Sequence, residues 1–348
     1  MSAARTTEPK IATPHPRETT ALFGHHDAEQ TLLEAYRSGR IPHAWLIGGA
    51  QGIGKATLAY RMARFVLAHR DPLSADVKAA TSLAVDPEHS VARHVAAGSH
   101  GGLLALERSL NEKGVLRTFI TVDETRETIK FFGSTAAVEG WRVCIVDTVD
   151  ELNTNAANAL LKVLEEPPKQ SLFLLVTNAP ARVLPTIQSR CRKLPLRPLA
   201  VDEVIQAVAT AADMSRHDAV LGEAAQASEG SVARTLTLLG GDALKLHQRT
   251  AALLNALPRV DPRELHALGE ALGGTDRVIL GAFIDSVDQW IGARIRANAS
   301  DNANLPRLAR LAEVWEKINR SARETESYNL ERKPLVFSVF GLLADATR

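Results

Sequence analysis

Three short apolar runs punctuate the first part of the chain: AWLI at 44–47, VCIV at 143–146 and LFLLV at 172–176. Runs of this length, bounded by polar residues or glycine, are what strands buried on both faces of a parallel sheet require. Elsewhere the period lengthens. Leu58, Met62, Phe65 and Val66 recur at helical spacing, so a helix over 55–68 is predicted with these four in the core. Further helices are predicted near 26–37 and over 123–132. Helices alternating with buried strands make an α/β unit, a parallel sheet covered on both sides. After Pro198 the strand pattern stops, and short alanine- and leucine-rich helical periods take over. Phe283, Val287, Trp290 and Ile291 share one helical face, and Leu308, Leu311, Trp315 and Ile318 another. The charges of 320–326 read as a solvated face.

A chain of 348 residues is too long for one core and predicts two or three domains. Its 41 basic and 40 acidic side chains leave no global charge bias toward nucleic acid. Two cysteines exclude a disulfide framework and suit a reducing cytoplasm. No apolar run approaches the ~20 residues that span a bilayer, so no membrane partner is expected. The opening MSAARTTEPKIATPHPRE has no apolar core and reads as a disordered tail over 1–19.

The chemistry sits at the strand ends. After AWLIG the chain reads Gly49-Ala-Gln-Gly52-Ile-Gly54-Lys55-Ala56, the phosphate-binding pattern G-x-x-x-x-G-K-[ST] with its last position changed. The glycines let backbone N–H groups converge on phosphate oxygens, the helix N-terminus adds positive potential, and Lys55 reaches the terminal phosphates. The hydroxyl that would ligate Mg²⁺ is missing at Ala56. Thr57 is one step further on, turned about 100° around the helix. The plainer alternative is a Gly-rich turn that only starts a helix. Asp147 closes the second apolar run where a P-loop ATPase holds its metal-associated acid. A hydrolysing enzyme usually has a glutamate next; here stands Thr148, a poor base at neutral pH. Both losses predict a chain that does not hydrolyse ATP. Asp150 and Glu151 read as surface or cap residues of the following turn.

These features, with NAANALLKVLEEPP at 155–168, Ser189-Arg190-Cys191 and the stretch from Tyr328 to Pro334, resemble the clamp-loader family of AAA+ proteins. The resemblance spans most of the chain. It implies a P-loop α/β AAA+ domain over 20–198, a helical lid over 199–241, and a C-terminal helical collar over 242–348 that packs against sister subunits. It also implies that Arg190 is a finger projected toward the ATP of a neighbouring motor subunit, a role suited to a permanently charged guanidinium. Read from its residues alone, without that motif, Arg190 is rather an intramolecular salt-bridge partner or a solvated residue. Asn178 matches the family's first sensor. The second sensor is lost, because Gly230-Ser-Val-Ala233-Arg234 places alanine where the arginine belongs. Phe23-Gly24-His25 falls where family members contact adenine, or else staples a helix start.

The family often carries a four-cysteine zinc module after the P-loop helix, but 68–102 contains no cysteine; His89, His94 and His100 there read as loop histidines, and no metal is expected. Lys162, Glu165 and Glu166 read as an exposed helical face with interface contacts. The degenerate nucleotide site therefore comprises Gly49, Gly52, Gly54, Lys55, Thr57, Asp147 and Asn178, with ATP bound weakly or not at all and no cofactor required. The implied partners are motor and clamp-opening subunits, the sliding clamp, and primed DNA, as part of a DNA-directed DNA polymerase complex in the cytoplasm. The alternatives are an active clamp-loader motor, a small-molecule P-loop kinase and a purely structural AAA+ scaffold.

Overall fold

A computed structural model describes residues 14–110, 117–133, 140–273, 277–298, 305–328 and 330–347. Most of the expected tail, 1–13, and Asn329 of the Tyr328–Pro334 stretch lie outside them. The chain divides into two compact units, 12–235 and 236–348.

In the first unit α1 (His26–Arg37), β1 (Ala44–Gly48) and α2 (Lys55–Ala68) lead through α3 (Ala75–Ala79) and α4 (Ser90–Ala96) to β2 (Leu103–Glu107), α5 (Val122–Gly133) and β3 (Arg142–Asp147). Then come α6 (Thr154–Glu165), β4 (Ser171–Thr177), the four-residue α7 (Pro185–Gln188) and β5 (Arg192–Pro195), followed by α8 (Val201–Ala212), α9 (Ala219–Ala227) and α10 (Val232–Leu238), the last crossing the boundary between units. The five strands form one parallel sheet in the order β2-β3-β4-β1-β5. Alternate residues of a strand face opposite ways, and the sheet has a core on each side. Trp45, Ile47, Val143, Ile145, Leu172, Leu174 and Val176 pack on Leu58, Met62, Phe65 and Val66 of α2. Leu46, Cys144, Val146, Phe173 and Leu175 face Phe132 of α5 and Leu160, Val163 and Leu164 of α6. The α/β expectation is met, and α2 has the bounds read from the sequence. Sequence reading left out β2, which flanks β3, and β5, which flanks β1.

Pro14–Thr19 is packed rather than loose. Arg64 of α2, 2% exposed, donates to the carbonyls of Arg17 at 3.0 Å and Thr19 at 2.6 Å, and the His15 ring meets Tyr60 edge-on at 5.9 Å. A buried guanidinium holding two carbonyls ties this segment to the core.

Residues 68–102 are equally well tied. Val77, Leu83, Ala92 and Val95 are buried, and all but Ala92 belong to the α2-side core. Gln30 donates to the Thr81 carbonyl at 2.6 Å and Arg37 to the Val77 and Ala80 carbonyls, while Glu29, buried and paired with Arg61 at 2.6 Å, accepts the Leu83 N–H at 2.9 Å. His89 accepts the Val91 N–H at 3.2 Å and caps α4, and His100 accepts the Gly102 N–H at 3.1 Å. His89 and His100 lie outside the helices, as the loop reading has it, whereas His94 falls within α4. Among the described residues, no group of three or more His, Cys, Asp or Glu gathers as a metal site would.

The second unit is helical: α11 (Ala243–Asn255), α12 (Pro262–Leu272), α13 (Arg277–Asn298), α14 (Leu305–Ser327) and α15 (Arg332–Thr347). Phe283, Val287, Trp290 and Ile291 are buried together with Leu311 and Ile318. Trp315 is not: it is 45% exposed, and its indole N–H donates to Asp288 at 2.8 Å. Val314 takes the core position instead, because α14 turns the i, i+3, i+7 row of Leu311, Val314 and Ile318 inward. Arg320, Arg323, Glu324 and Glu326 are exposed, as the charge pattern predicted. Among the described residues no helix is long and apolar enough to cross a membrane.

Candidate functional site

In an open parallel sheet, ligands bind at the carboxyl ends of the strands. The ends of β1, β3 and β4 bring the P-loop, Asp147 and Asn178 into that zone, since β4 lies between β1 and β3. Gly49, Gly52, Gly54 and Lys55 form the loop and the start of α2. Gly52 has φ +76, and a Cβ there would stand 2.8 Å from the Ala233 methyl and closer still to the Ser231 hydroxyl. A glycine is required at this point by conformation and by space. The Ala233 N–H also donates to the Gly52 carbonyl at 3.4 Å, so α10 rests on the phosphate loop. The residue facing the loop from α10 is thus uncharged Ala233. The Phe23–His25 stretch also reaches the loop: the His25 ring N–H donates to the Ile53 carbonyl at 2.7 Å, and burial lowers its pKa.

Lys55 is 4% exposed and turned inward. Its ammonium donates to the Ala50 carbonyl of its own loop and, at 2.7 Å, to Asn178 Oδ1. Desolvation lowers its pKa to about 8, against the opposing pull of Asp147 and Asp150. Burial raises the Asp147 carboxyl, opposed by Lys55 and reinforced by Glu107, its register partner on β2. A metal-bound triphosphate would need Lys55 released, an ionised Asp147 and a hydroxyl in the first turn of α2. Ala56 supplies no hydroxyl, and Thr57 is one helical step away from its place. The residues present fit a phosphate in the loop but not its Mg²⁺. Thr148, where a water-polarising carboxylate would stand, is buried, and its hydroxyl has no hydrogen-bond partner.

Asp150 and Glu151 correct the sequence reading. They lie in a single helical turn over Val149–Glu151, half-buried, and Asp150 accepts the Asn178 N–H at 3.0 Å while Glu151 pairs with Arg108 at 2.9 Å. Asp150 therefore belongs to this cluster, fixing the backbone that carries Asn178. Glu107 and Asp150 were the residues sequence reasoning missed. An unrecognised short strand hid the first, and an apparent surface turn the second.

Arg190 lies apart from this cluster, just after α7. Its Nη2 pairs with Glu165 Oε1 at 2.7 Å, Nη1 donates to the Thr186 carbonyl at 2.8 Å, and the side chain is 34% exposed. The intramolecular partner left open by the sequence is Glu165, at the end of α6. Lys162 and Glu166 take no part in this contact.

Comparison with known proteins sets this geometry in a family. The family described as DNA polymerase III, delta subunit, matches residues 24–200. The delta' subunit of DNA polymerase III from Pseudomonas aeruginosa is 38% identical over 164 residues, 47% of this chain and 46% of that protein. The delta' subunit from Escherichia coli is 32% identical over 220 residues, 61% and 59% of the two chains. A gamma/tau subunit from Mycobacterium tuberculosis is 29% identical over 282 residues, covering 78% of this chain and 46% of that one. The chain thus spans about half the length of the relatives it matches. A solved RuvB from Thermotoga maritima covers 82% of the chain with a TM-score of 0.41 at 17% identity, too distant to carry an argument. With a P-loop, a parallel sheet of this order and a family match over more than half its length, the chain belongs to the DNA polymerase III delta-subunit family and is delta'-like.

Proposed function

We propose that this chain is a non-hydrolysing clamp-loader subunit that presents Arg190 to ATP held by a neighbouring motor subunit. The observation that carries the reading is the state of its own site. Lys55, the group that should hold phosphate, is buried against Ala50 and Asn178, with no hydroxyl at position 56 and no carboxylate at 148. Such a subunit contributes to ATP turnover only through a residue acting outside its own pocket. A permanently charged guanidinium near the surface can stabilise charge on a transferring phosphoryl group. Lid residues 199–241 would hold the P-loop closed, and helices from 242 onward would form the collar joining sister subunits. The partners are then motor and clamp-opening subunits, with the sliding clamp and primed DNA reached through the complex in the cytoplasm.

A specific observation favours a second reading. The Arg190–Glu165 pair suits a scaffold in which Arg190 only joins α7 to α6. Clamp- and DNA-stimulated ATP turnover of the assembly reconstituted with its motor subunits separates the two. Arg190→Ala should lower turnover at the site it serves by at least about tenfold, given the effects of arginine fingers elsewhere, with assembly intact by gel filtration. Unchanged turnover would leave the scaffold.

A further inference from the structure

A finger that reaches across an interface has to leave whatever holds it within its own subunit. The Arg190 guanidinium is held by both outer nitrogens: Nη2 by Glu165 Oε1 at 2.7 Å, Nη1 by the Thr186 carbonyl at 2.8 Å and, more loosely, by Ser189 Oγ at 3.5 Å. Glu165 is the last residue of α6, and Thr186 lies in α7. Donors committed to a carboxylate and a carbonyl on this subunit are not available to a phosphate on the next. The paired carboxylate also cancels the positive charge that a finger has to supply. With up to three of its five N–H donors so engaged, the guanidinium keeps Nε–H and one Nη2 N–H, and no longer offers the paired outer nitrogens for a two-pronged grip on a phosphate.

We infer that Glu165 is a latch for Arg190: a positioning residue that holds the guanidinium retracted on its own subunit and competes with the neighbour's triphosphate for it. The inference rests on the finger reading above. The latch is built to be weak. The two side chains are 34% and 50% exposed, and an ion pair so open to water shifts an equilibrium by up to about fivefold. A triphosphate, with several charges in a site walled off from water, outcompetes one exposed carboxylate. Release then follows from assembly and from nucleotide in the neighbour, and the isolated subunit keeps its finger folded back. Glu165 ends α6 and Thr186 lies in α7, so a shift of either helix changes how firmly Arg190 is held.

Two measurements test this on the full chain. The first uses the isolated subunit and an arginine-directed dicarbonyl reagent, with modification of Arg190 read by peptide mass spectrometry in native protein and Glu165→Gln. The latch predicts modification of Arg190 faster by up to about fivefold in the variant, other arginines keeping their rates and the thermal midpoint unmoved. Equal rates would overturn it. The second compares ATP turnover of reconstituted assemblies carrying native chain, Glu165→Gln, Arg190→Ala or both changes. The expected result is higher turnover in Glu165→Gln and no effect of that change when Arg190 is already alanine. Lower turnover in Glu165→Gln would make Glu165 a group that aims the finger and sink the latch, and so would an equal effect in both backgrounds. A loss in Arg190→Ala with no change in Glu165→Gln overturns the latch and keeps the finger. No loss in Arg190→Ala removes the finger reading and the latch with it, whatever the reagent shows of the pair.

Discussion

Lys55 and Asn178, 123 positions apart in the chain, meet at 2.7 Å because β1 and β4 are neighbours and both end at the same edge of the sheet. The contact keeps an ammonium in a place with little water, and its cost appears as a pKa lowered to about 8. The ordinary lysine value is 10.5. Between the two the unfolded chain binds more protons than the folded one, so stability rises with pH across that window and the full penalty applies below it. Lys55→Met is expected to remove this dependence. Native protein should gain on the variant by up to about 3 kcal/mol from pH 8 to 10.5, read from chemical denaturation at matched salt. A constant gap would mean that Lys55 is not desolvated.

Gly52 offers a steric test. Gly52→Val forces a branched side chain into φ +76 and into Ser231 and Ala233. A loss of about 1–3 kcal/mol is expected. Gly222→Ala is the control within the same unit: it lies in α9, nothing stands within 4 Å of the added carbon, and the change should be neutral or stabilise by about 0.5–1 kcal/mol. If the two variants melt alike, the lid does not press on the loop.

Arg64→Met keeps the apolar stem and removes the donors to the Arg17 and Thr19 carbonyls. The expected outcome is faster proteolytic cleavage within residues 14–20, while the sheet domain keeps its fold and loses about 1–3 kcal/mol. Cleavage at the native rate would show that the segment is held by other contacts.

In the helical unit, Phe283→Ala should cost about 3–5 kcal/mol, because the ring is fully buried among the helices. Trp315→Ala should cost far less, since that indole is 45% exposed and keeps one hydrogen bond, to Asp288. The two are compared by thermal unfolding of the whole chain, watching which transition moves. Equal losses would put Trp315 in the core after all.

The parts of this molecule legible in the sequence are those where one signal dominates. Gly54 and Lys55 mark the start of α2, and Leu58, Met62, Phe65 and Val66 mark its buried face, so the helix was readable to the residue. Uninterrupted apolar runs gave β1, β3 and β4. The misses share a cause. LLALE is too short and too helix-compatible to announce β2, and with β2 went Glu107's place beside Asp147. Trp315 and Val314 are adjacent on α14, and periodicity cannot say which one the bundle turns inward. Asp150 and Glu165 owe their roles to partners at Asn178 and Arg190, 28 and 25 positions away. No local pattern reports a contact at that distance.

Segment 68–102 is fastened by aliphatic packing of Val77, Leu83 and Val95 and by hydrogen bonds from Gln30, Arg37 and the Leu83 amide to oxygen acceptors. None of these fastenings involves a thiolate or a metal-ligand bond. The folding of this region should therefore be indifferent to chelators, to peroxide and to the supply of transition metal, and dependent only on the ordinary forces that hold α1 and α2 together. Where a metal-stapled module can be taken apart by removing one ion, this one is held by packing and hydrogen bonds against α1 and α2.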